Sequence, residues 1–310
     1  MSFKNDFIDC FRADKLDEIR CLDEIARFSP DVSYSTGNFS MLREKHAQLQ
    51  LDSVNGTNNR LETILKRTNW PRNYFKDKLI LECGCGAGPD TEILLDLGAK
   101  VLSVDITGLE ITFNNLGRNP KLQLLQASLL DLPLNKNHFD IVFCHRVLQH
   151  TPKPELVLSE ILSYVKSGGD IFIHSYARSL MQMVRWKYFF RPLTKRMSST
   201  LLYNMIKISA PLFYSITNKL HTSGKIGRAI NYFFIPFINY RHVDFFKEKQ
   251  DEWIIEYGIH DTFDALSPKY DIPLSIKKFK KIANEVLNDK KISYEFIETK
   301  GITLLRSKYV

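Results

Sequence analysis

The chain has 310 residues, of which 44% are hydrophobic and 25% charged, and its formal net charge is +8. This hydrophobic content excludes a disordered chain, and five cysteines over this length exclude a disulfide scaffold. The longest uncharged apolar runs, 208–218 and 229–240, are shorter than the roughly 20 residues needed to cross a bilayer, and residues 1–6 have no apolar signal region. We therefore expect a cytoplasmic protein with reduced thiols.

The first 75 residues have a mixed character that differs from the rest of the chain. A weak helical pattern over 15–28 predicts a helix, and a second, short helix is predicted over 60–67. We expect residues 1–75 to form an N-terminal lid or extension.

From residue 76 onward, short apolar runs alternate with helical patterns. The predicted strands are 78–81, 101–104, 122–125, 139–144 and 170–174, and the predicted helices are 90–97, 109–116 and 155–165. Strands that alternate with helices in this way indicate right-handed βαβ units and a mainly parallel sheet. The sequence thus predicts an α/β core over 76–175.

The alternation stops after His174 and resumes about a hundred residues later. The elements predicted after the interruption are a helix over 276–287 and a β-hairpin of strands 292–297 and 302–305, with Thr299–Gly301 as its loop. We expect residues 271–310 to complete the core, and residues 176–270 to form a large α-helical cap inserted after the fifth strand.

The positive charge of the chain is concentrated in that insertion. Residues 176–250 contain thirteen basic residues and only two acidic ones, a net charge of +11. The remaining residues contain 30 basic and 33 acidic groups and sum to −3. Cations interleaved with aromatic residues favour an anionic partner, and we expect peripheral contact with an anionic membrane surface, at the inner membrane face, in preference to nucleic acid.

A glycine-rich turn follows the first strand of the core. The strand leads through Glu82 into Gly84, Gly86 and Gly88, and a helix comes next, so backbone N–H groups can approach a ligand closely. A dinucleotide fingerprint would need glycine where Pro89 stands, and no Gly-Lys-Ser/Thr follows as in a P-loop. The turn therefore binds another class of nucleotide-like ligand.

The pattern acidic-x-G-x-G-x-G, with Asp105 at the end of the next strand, resembles the class I S-adenosylmethionine-dependent methyltransferases of the type 11 kind. The resemblance implies a Rossmann-like sheet with a C-terminal antiparallel hairpin, S-adenosylmethionine as cofactor, and an Asp105 carboxylate that binds both ribose hydroxyls. The cofactor-binding residues that it implies are Glu82, Gly84, Cys85, Gly86, Gly88, Asp105, Ile106, Ser128, Leu129 and Cys144.

One position departs from the family pattern. Alignment of Leu132-Pro133 with the Leu-Pro of the family places Ser128 where an Asp usually meets the adenine amino group. Either Ser128 accepts that hydrogen bond, or the adenine is held mainly by the backbone at Leu129.

Several acceptor classes are excluded by the residues after the fourth strand. The segment Cys144–Val147 has neither the Pro-Pro-aromatic motif of amino-methylating nucleic-acid enzymes nor the Pro-Cys nucleophile of cytosine C5 enzymes. No C-x-x-C pair occurs and the histidines do not cluster, so no metal site is expected. Methylation of a hydroxyl needs a base, and His145 and His150 are the candidates, although either could serve only in packing or in ligand binding.

A narrower resemblance, which includes 50–57 and 261–271, is to a bacterial subgroup associated with cell-surface polysaccharide pathways. It implies that 50–57 closes over the cofactor, and that Asp261, Asp264 and Asp271 either hold substrate hydroxyls or cap helices. We expect O-methylation of a glycan or lipid-linked hydroxyl. The alternatives are a quinone or other small lipid acceptor, and a non-catalytic S-adenosylmethionine-binding protein.

Overall fold

A computed structural model describes residues 5–28, 38–178, 183–299 and 302–309. Nine strands of these residues form one sheet, in the order β1-β2-β5-β4-β3-β6-β7-β9-β8. The strands are β1 (Arg20–Leu22), β2 (Ile25–Arg27), β3 (Leu79–Cys83), β4 (Lys100–Asp105), β5 (Leu122–Gln126), β6 (Phe139–His145), β7 (Val165–Tyr176), β8 (Tyr294–Thr299) and β9 (Ile302–Ser307).

The centre of the sheet is the five-stranded parallel unit β5-β4-β3-β6-β7. Its strands are buried on both faces, as continuous apolar runs in a parallel sheet should be. The antiparallel hairpin β8-β9 pairs with β7 through β9, as the sequence predicts, although the central residues of its loop, 300–301, lie outside the described residues. This arrangement confirms the predicted mostly parallel sheet with a C-terminal hairpin.

Eleven α-helices lie among the described residues. Those that accompany the sheet are α1 (Asn38–Lys45), α2 (Asp52–Asn55), α3 (Asn59–Thr68), α4 (Pro89–Asp96), α5 (Leu109–Leu116), α6 (Pro154–Ser163) and α11 (Ile276–Leu287), and those between β7 and α11 are α7 (Trp186–Thr194), α8 (Ser199–Thr222), α9 (Gly224–Phe234) and α10 (Asp251–Leu266). The strand order reverses between β3 and β6, and ligands of such sheets bind beside this point, at the carboxyl ends of the strands.

The predicted helix over 15–28 is wrong. Only Ala13–Glu18 is helical there, as a 3₁₀ turn, and the next residues form the hairpin β1-β2, which adds to the free edge of β5. Asp23 and Glu24 form its two-residue loop, both with positive φ, as a hairpin turn of this length requires. Strand pairing and the burial of Ile25 and Ala26 outweigh the weak helical period of this segment.

The four helices α7 to α10 form a unit with its own apolar centre, which we call the cap. Trp186, Leu202 and Phe263 are buried in it, and Leu42 of α1 packs into the same cluster. The hydroxyl of Tyr203 lies 3.0 Å from Nε2 of His46, just after α1. The N-terminal segment is therefore fixed to the cap as well as to the sheet.

Among the described residues, no helix has the length and apolar character that crossing a bilayer requires.

Candidate functional site

The glycine turn after β3 is closely packed on one side and open on the other. Gly84 has φ +85°, and a Cβ added there would lie 2.4 Å from a methyl group of Val147. Gly86 has φ +62°, and a Cβ added there would meet no atom within 4 Å. The turn therefore needs glycine for its backbone conformation at both positions, and it exposes its backbone to an open space at Gly86.

That open space is part of a cavity of about 820 Å³ at the carboxyl ends of the strands. The sheet, α1 and the cap all contribute to its lining. The predicted cofactor-binding and catalytic residues that line it are Gly84, Cys85, Gly86, Asp105, Ile106, Leu129, His145 and His150. Cavities of this size accommodate ligands as large as nucleotides. The predicted residues Glu82, Gly88, Ser128 and Cys144 do not line it.

The Asp105 carboxylate is the most heavily bonded group of this site. Its Oδ2 accepts hydrogen bonds from the backbone N–H of Gly86, at 2.9 Å, and from Nη2 of Arg43, at 3.0 Å. Its Oδ1 accepts from the N–H of Ile106, at 2.7 Å. Arg43 belongs to α1, and no sequence motif connects it with Asp105, so sequence reasoning missed it.

Glu82 does not line the cavity, and its predicted role in cofactor binding stays a prediction. Its Oε2 accepts hydrogen bonds from the hydroxyls of Thr91 and Ser103, both at 2.6 Å, and the side chain is buried. Burial raises the pKa of Glu82 to about 8. The residue therefore links β3 to α4 and β4 through hydrogen bonds, next to the glycine turn.

Two further predicted cofactor residues also lie behind the lining. Ser128 accepts a hydrogen bond from the N–H of Leu130 at its own Oγ and forms a β-bridge with Asp131, so its hydroxyl is used within its own turn. Cys144 is fully buried in the core. Leu129 lines the cavity instead, which favours the alternative in which the backbone at Leu129 meets the adenine.

His145 is held by partners on both ring nitrogens. Its Nδ1 lies 2.8 Å from Oδ2 of Asp90, and its Nε2 lies 2.5 Å from Nη1 of Arg67. A guanidinium only donates, so Nε2 accepts and Nδ1–H donates to Asp90. Burial lowers the pKa of His145 to about 4. A neutral ring with both nitrogens bonded positions its neighbours, and it has no lone pair left for a substrate proton.

His150 has a free acceptor nitrogen. Its Nδ1 lies 3.2 Å from the carbonyl oxygen of Tyr270, which can only accept, so Nδ1 carries the hydrogen and Nε2 has the lone pair. No described residue bonds to this Nε2. The ring edge contacts Phe39 and Tyr176, and the residue lines the cavity. Of the two predicted bases, only His150 can accept a proton without losing an existing partner.

The sequence also pointed to three aspartates near the end of the cap. Asp271 is buried and pairs with Lys187, at 2.7 Å, so it has a structural role. Asp261 accepts hydrogen bonds from the hydroxyl of Tyr240 and from Nδ1 of His260. Asp264 lines the cavity and has no hydrogen bond within the described part of the chain, so it can meet a ligand.

Comparison with known proteins gives a domain-level match. Residues 81–173 match the family model described as a methyltransferase domain. A ubiquinone biosynthesis O-methyltransferase of Colwellia psychrerythraea is 28% identical over 51% of this chain and 65% of that protein. The mitochondrial ubiquinone biosynthesis O-methyltransferase of Schizosaccharomyces pombe is 31% identical over 36% of this chain and 42% of that protein.

These curated relatives are therefore matched over less than two thirds of their own length. Among solved structures, an S-adenosylmethionine-dependent methyltransferase from Mesorhizobium loti aligns at a TM-score of 0.35 and 19% identity. That alignment covers 40% of this chain and 56% of the other.

We predict that Glu82→Gln flattens the pH dependence of stability. The folded protein keeps the Glu82 proton up to about pH 8, whereas an unfolded chain releases it near the ordinary value of 4.5. The free energy of unfolding of the wild type should therefore fall as pH rises through this window, by on the order of 1–4 kcal/mol, and the variant should lack this contribution. Urea unfolding at pH 5 and pH 8 measures the difference, and equal pH slopes for the two proteins would contradict the assignment.

Proposed function

We propose that this chain, which carries a class I S-adenosylmethionine-dependent methyltransferase domain, transfers a methyl group to a hydroxyl of a lipid-type or lipid-linked acceptor. The domain match confirms the predicted methyltransferase class and, with it, S-adenosylmethionine as the cofactor. The main support for the proposal is that the glycine turn, Asp105 and a histidine with a free acceptor nitrogen all line one cavity.

The residues of the cavity suit this cofactor. The open space at Gly86 admits a ligand against the turn, and the two oxygens of Asp105 can accept hydrogen bonds from a vicinal diol such as the ribose hydroxyls. Leu129 lines the same cavity and meets the adenine in this proposal. When bound, the cofactor supplies an electrophilic methyl group on a sulfonium. The protein's own contribution is to hold the two reactants in line and to exclude water.

Residues 39–51, a part of the N-terminal region that lines the cavity, act as a lid in this proposal. Arg43 of α1 bonds to the Asp105 carboxylate, and Phe39, Leu42 and Leu51 line the cavity beside it. A diol that binds Asp105 must share the carboxylate with Arg43 or displace it. Movement of α1 is therefore coupled to occupation of the cavity.

His150 is the base in this proposal. Its Nε2 would accept the proton that the acceptor hydroxyl loses, and the Tyr270 carbonyl keeps Nδ1–H in place. The carbonyl also stabilises the imidazolium that forms. Such general-base assistance is worth roughly 10²–10⁴ in rate.

The acceptor class is supported by the relatives and by the cap. The curated relatives named above are ubiquinone biosynthesis O-methyltransferases, which favours the quinone or other lipid alternative over a free glycan. The cavity wall on the cap side includes the aromatic residues Trp186, Tyr188, Tyr232 and Phe233, which suit an apolar acceptor. The predicted surface-polysaccharide subgroup and glycan acceptor have no such support and stay predictions.

The cap carries exposed apolar side chains on three of its helices. Phe189 on α7, Ile208 on α8, and Ile226 and Phe234 on α9 are 79%, 82%, 77% and 70% exposed. Basic residues accompany them on the same helices or just after α7, namely Lys195, Arg196, Lys207, Lys219 and Lys225. Apolar side chains among cations favour insertion into an anionic membrane surface. Because α9 also lines the cavity, a lipid acceptor can reach the site from this side.

We predict that the protein forms S-adenosylhomocysteine from S-adenosylmethionine in the presence of a lipid extract or of phenolic lipid acceptors. His150→Gln should lower the turnover rate by about 10²-fold or more, because it removes the proton acceptor. His138→Gln, at the opposite end of β6, is the matched control and should leave turnover unchanged. Chromatography of the labelled products measures the rates.

Absence of product from every acceptor would leave a non-catalytic binding protein as the better account. Unchanged turnover in His150→Gln would show that His150 is not the base, although the protein would still be a methyltransferase.

We predict that the protein sediments with vesicles of phosphatidylcholine and phosphatidylglycerol, and less with phosphatidylcholine alone. The triple variant Phe189→Ser, Ile208→Ser, Phe234→Ser should lose most of this binding, and added salt should weaken it. The control variant replaces three exposed apolar residues outside the cap, Ile8, Leu22 and Leu156, with serine. Equal sedimentation of the two triple variants would contradict the membrane face.

A further inference from the structure

Arg146 has an uncommon backbone conformation at the edge of the cavity. It follows β6 directly and has φ +64°, in the left-handed region that bulky residues rarely adopt. The next residue, Val147, packs against the glycine turn at Gly84. Strained residues of this kind persist where the surrounding structure holds them, and they concentrate at binding and catalytic sites. The strain here places an arginine beside the turn that meets the cofactor.

The Arg146 guanidinium has no partner of its own. Across the described ranges, it has no hydrogen bond and no carboxylate within 4.0 Å, although it lines the cavity. The groups that act on it electrostatically are Tyr176, Tyr240, Asp261 and Tyr257, on the side of the cavity toward the cap. The Asp261 carboxylate accepts hydrogen bonds from Tyr240 and His260 and forms no ion pair with Arg146 within the described ranges.

The cavity as a whole is short of negative charge. The cations among its described lining residues are Arg43, Arg60, Arg67, Arg146, Arg185, Lys187 and Arg228, and the carboxylates are Asp90, Asp105, Asp261 and Asp264. The charge of Lys187 is neutralised by its ion pair with Asp271, which leaves six cations against four carboxylates. A bound sulfonium cofactor adds a further positive charge, so a negatively charged acceptor is favoured over a neutral one.

We propose that Arg146 binds an oxyanion of the methyl acceptor, a carboxylate or a phosphate, in the half of the cavity between the glycine turn and the cap. This inference rests on the proposed function and narrows its substrate class to anionic acceptors. A guanidinium suits either group, because its fork of N–H donors matches two oxygens at once. The Tyr176 hydroxyl belongs to the same cavity lining and can complete the oxyanion site.

The test uses small aromatic probes titrated calorimetrically into protein saturated with S-adenosylhomocysteine. The probes are benzoate, phenyl phosphate and the neutral benzamide. The wild type should bind at least one anion more tightly than benzamide, and the stronger of the two anions identifies the carboxylate or phosphate form. Arg146→Gln should weaken anion binding by about 10–100-fold without changing benzamide binding, and Arg146→Lys should restore part of the loss.

Arg228→Gln is the matched control, because it removes a cation from the same cavity at an exposed position on α9. Solvent screens this charge, so the variant should weaken anion binding by no more than about fivefold. An equal loss of anion affinity in both variants would indicate that the anion responds to the overall electrostatic field of the cavity. That result would overturn the assignment to Arg146. No preference of the wild type for either anion would overturn it as well.

A separate titration distinguishes the two levels of the proposal. Failure of the wild type to bind S-adenosylhomocysteine would contradict the proposed function itself. If Arg146→Gln weakens S-adenosylhomocysteine binding but not 5′-methylthioadenosine binding, Arg146 holds the carboxylate of the cofactor, and the acceptor site is overturned. We expect Arg146→Gln to bind each of the two nucleosides with the same affinity as the wild type.

Discussion

The site depends on the Asp105 carboxylate at the end of β4. A buried carboxylate must be paired and hydrogen-bonded, and here its partners come from three separate parts of the chain. The glycine turn supplies the N–H of Gly86, the turn after β4 supplies the N–H of Ile106, and α1 supplies Arg43. Charge-assisted hydrogen bonds are stronger than neutral ones, so this one group fixes the turn and α1 relative to the sheet.

The core and the cap contribute different charged groups to the site. The core supplies the glycine turn and Asp105, whereas residues 176–250 hold the +11 charge that was evident in the sequence. One part of that charge is used internally, since Lys187 pairs with the buried Asp271 and anchors α7. Arg191 is also used internally, because it donates to the carbonyl oxygens of Ala265 and Pro268. Arg228 at the cavity wall and exposed cations such as Lys207 favour an anionic acceptor and an anionic surface.

The parts of the fold that were predictable from sequence are those determined by local pattern. Apolar runs in the parallel strands and glycines at fixed spacing identify the sheet and the turn, because each strand or turn contains its own signal. The hairpin β1-β2 was missed, because its residues fold against the edge of β5, about a hundred positions away. A weak local helical period gave no indication of that pairing.

The site was only partly predictable for the same reason. Sequence reasoning named Asp105 and His145, but their partners Arg43 and Arg67 lie 62 and 78 positions away, and no spacing rule connects them. The motif also named Glu82 without indicating that its side chain faces Thr91 and Ser103. A motif identifies a residue, whereas the direction of its side chain depends on the packing around the strand.

The most direct test of the account is the affinity of Asp105→Asn for S-adenosylhomocysteine, measured by titration calorimetry on protein whose folding is checked by circular dichroism. The account predicts that the wild type binds and that the variant, folded like the wild type, binds at least about tenfold more weakly, since an amide replaces one oxygen that must accept from the diol. Equal affinity of the two folded proteins, or no binding by the wild type, would contradict it.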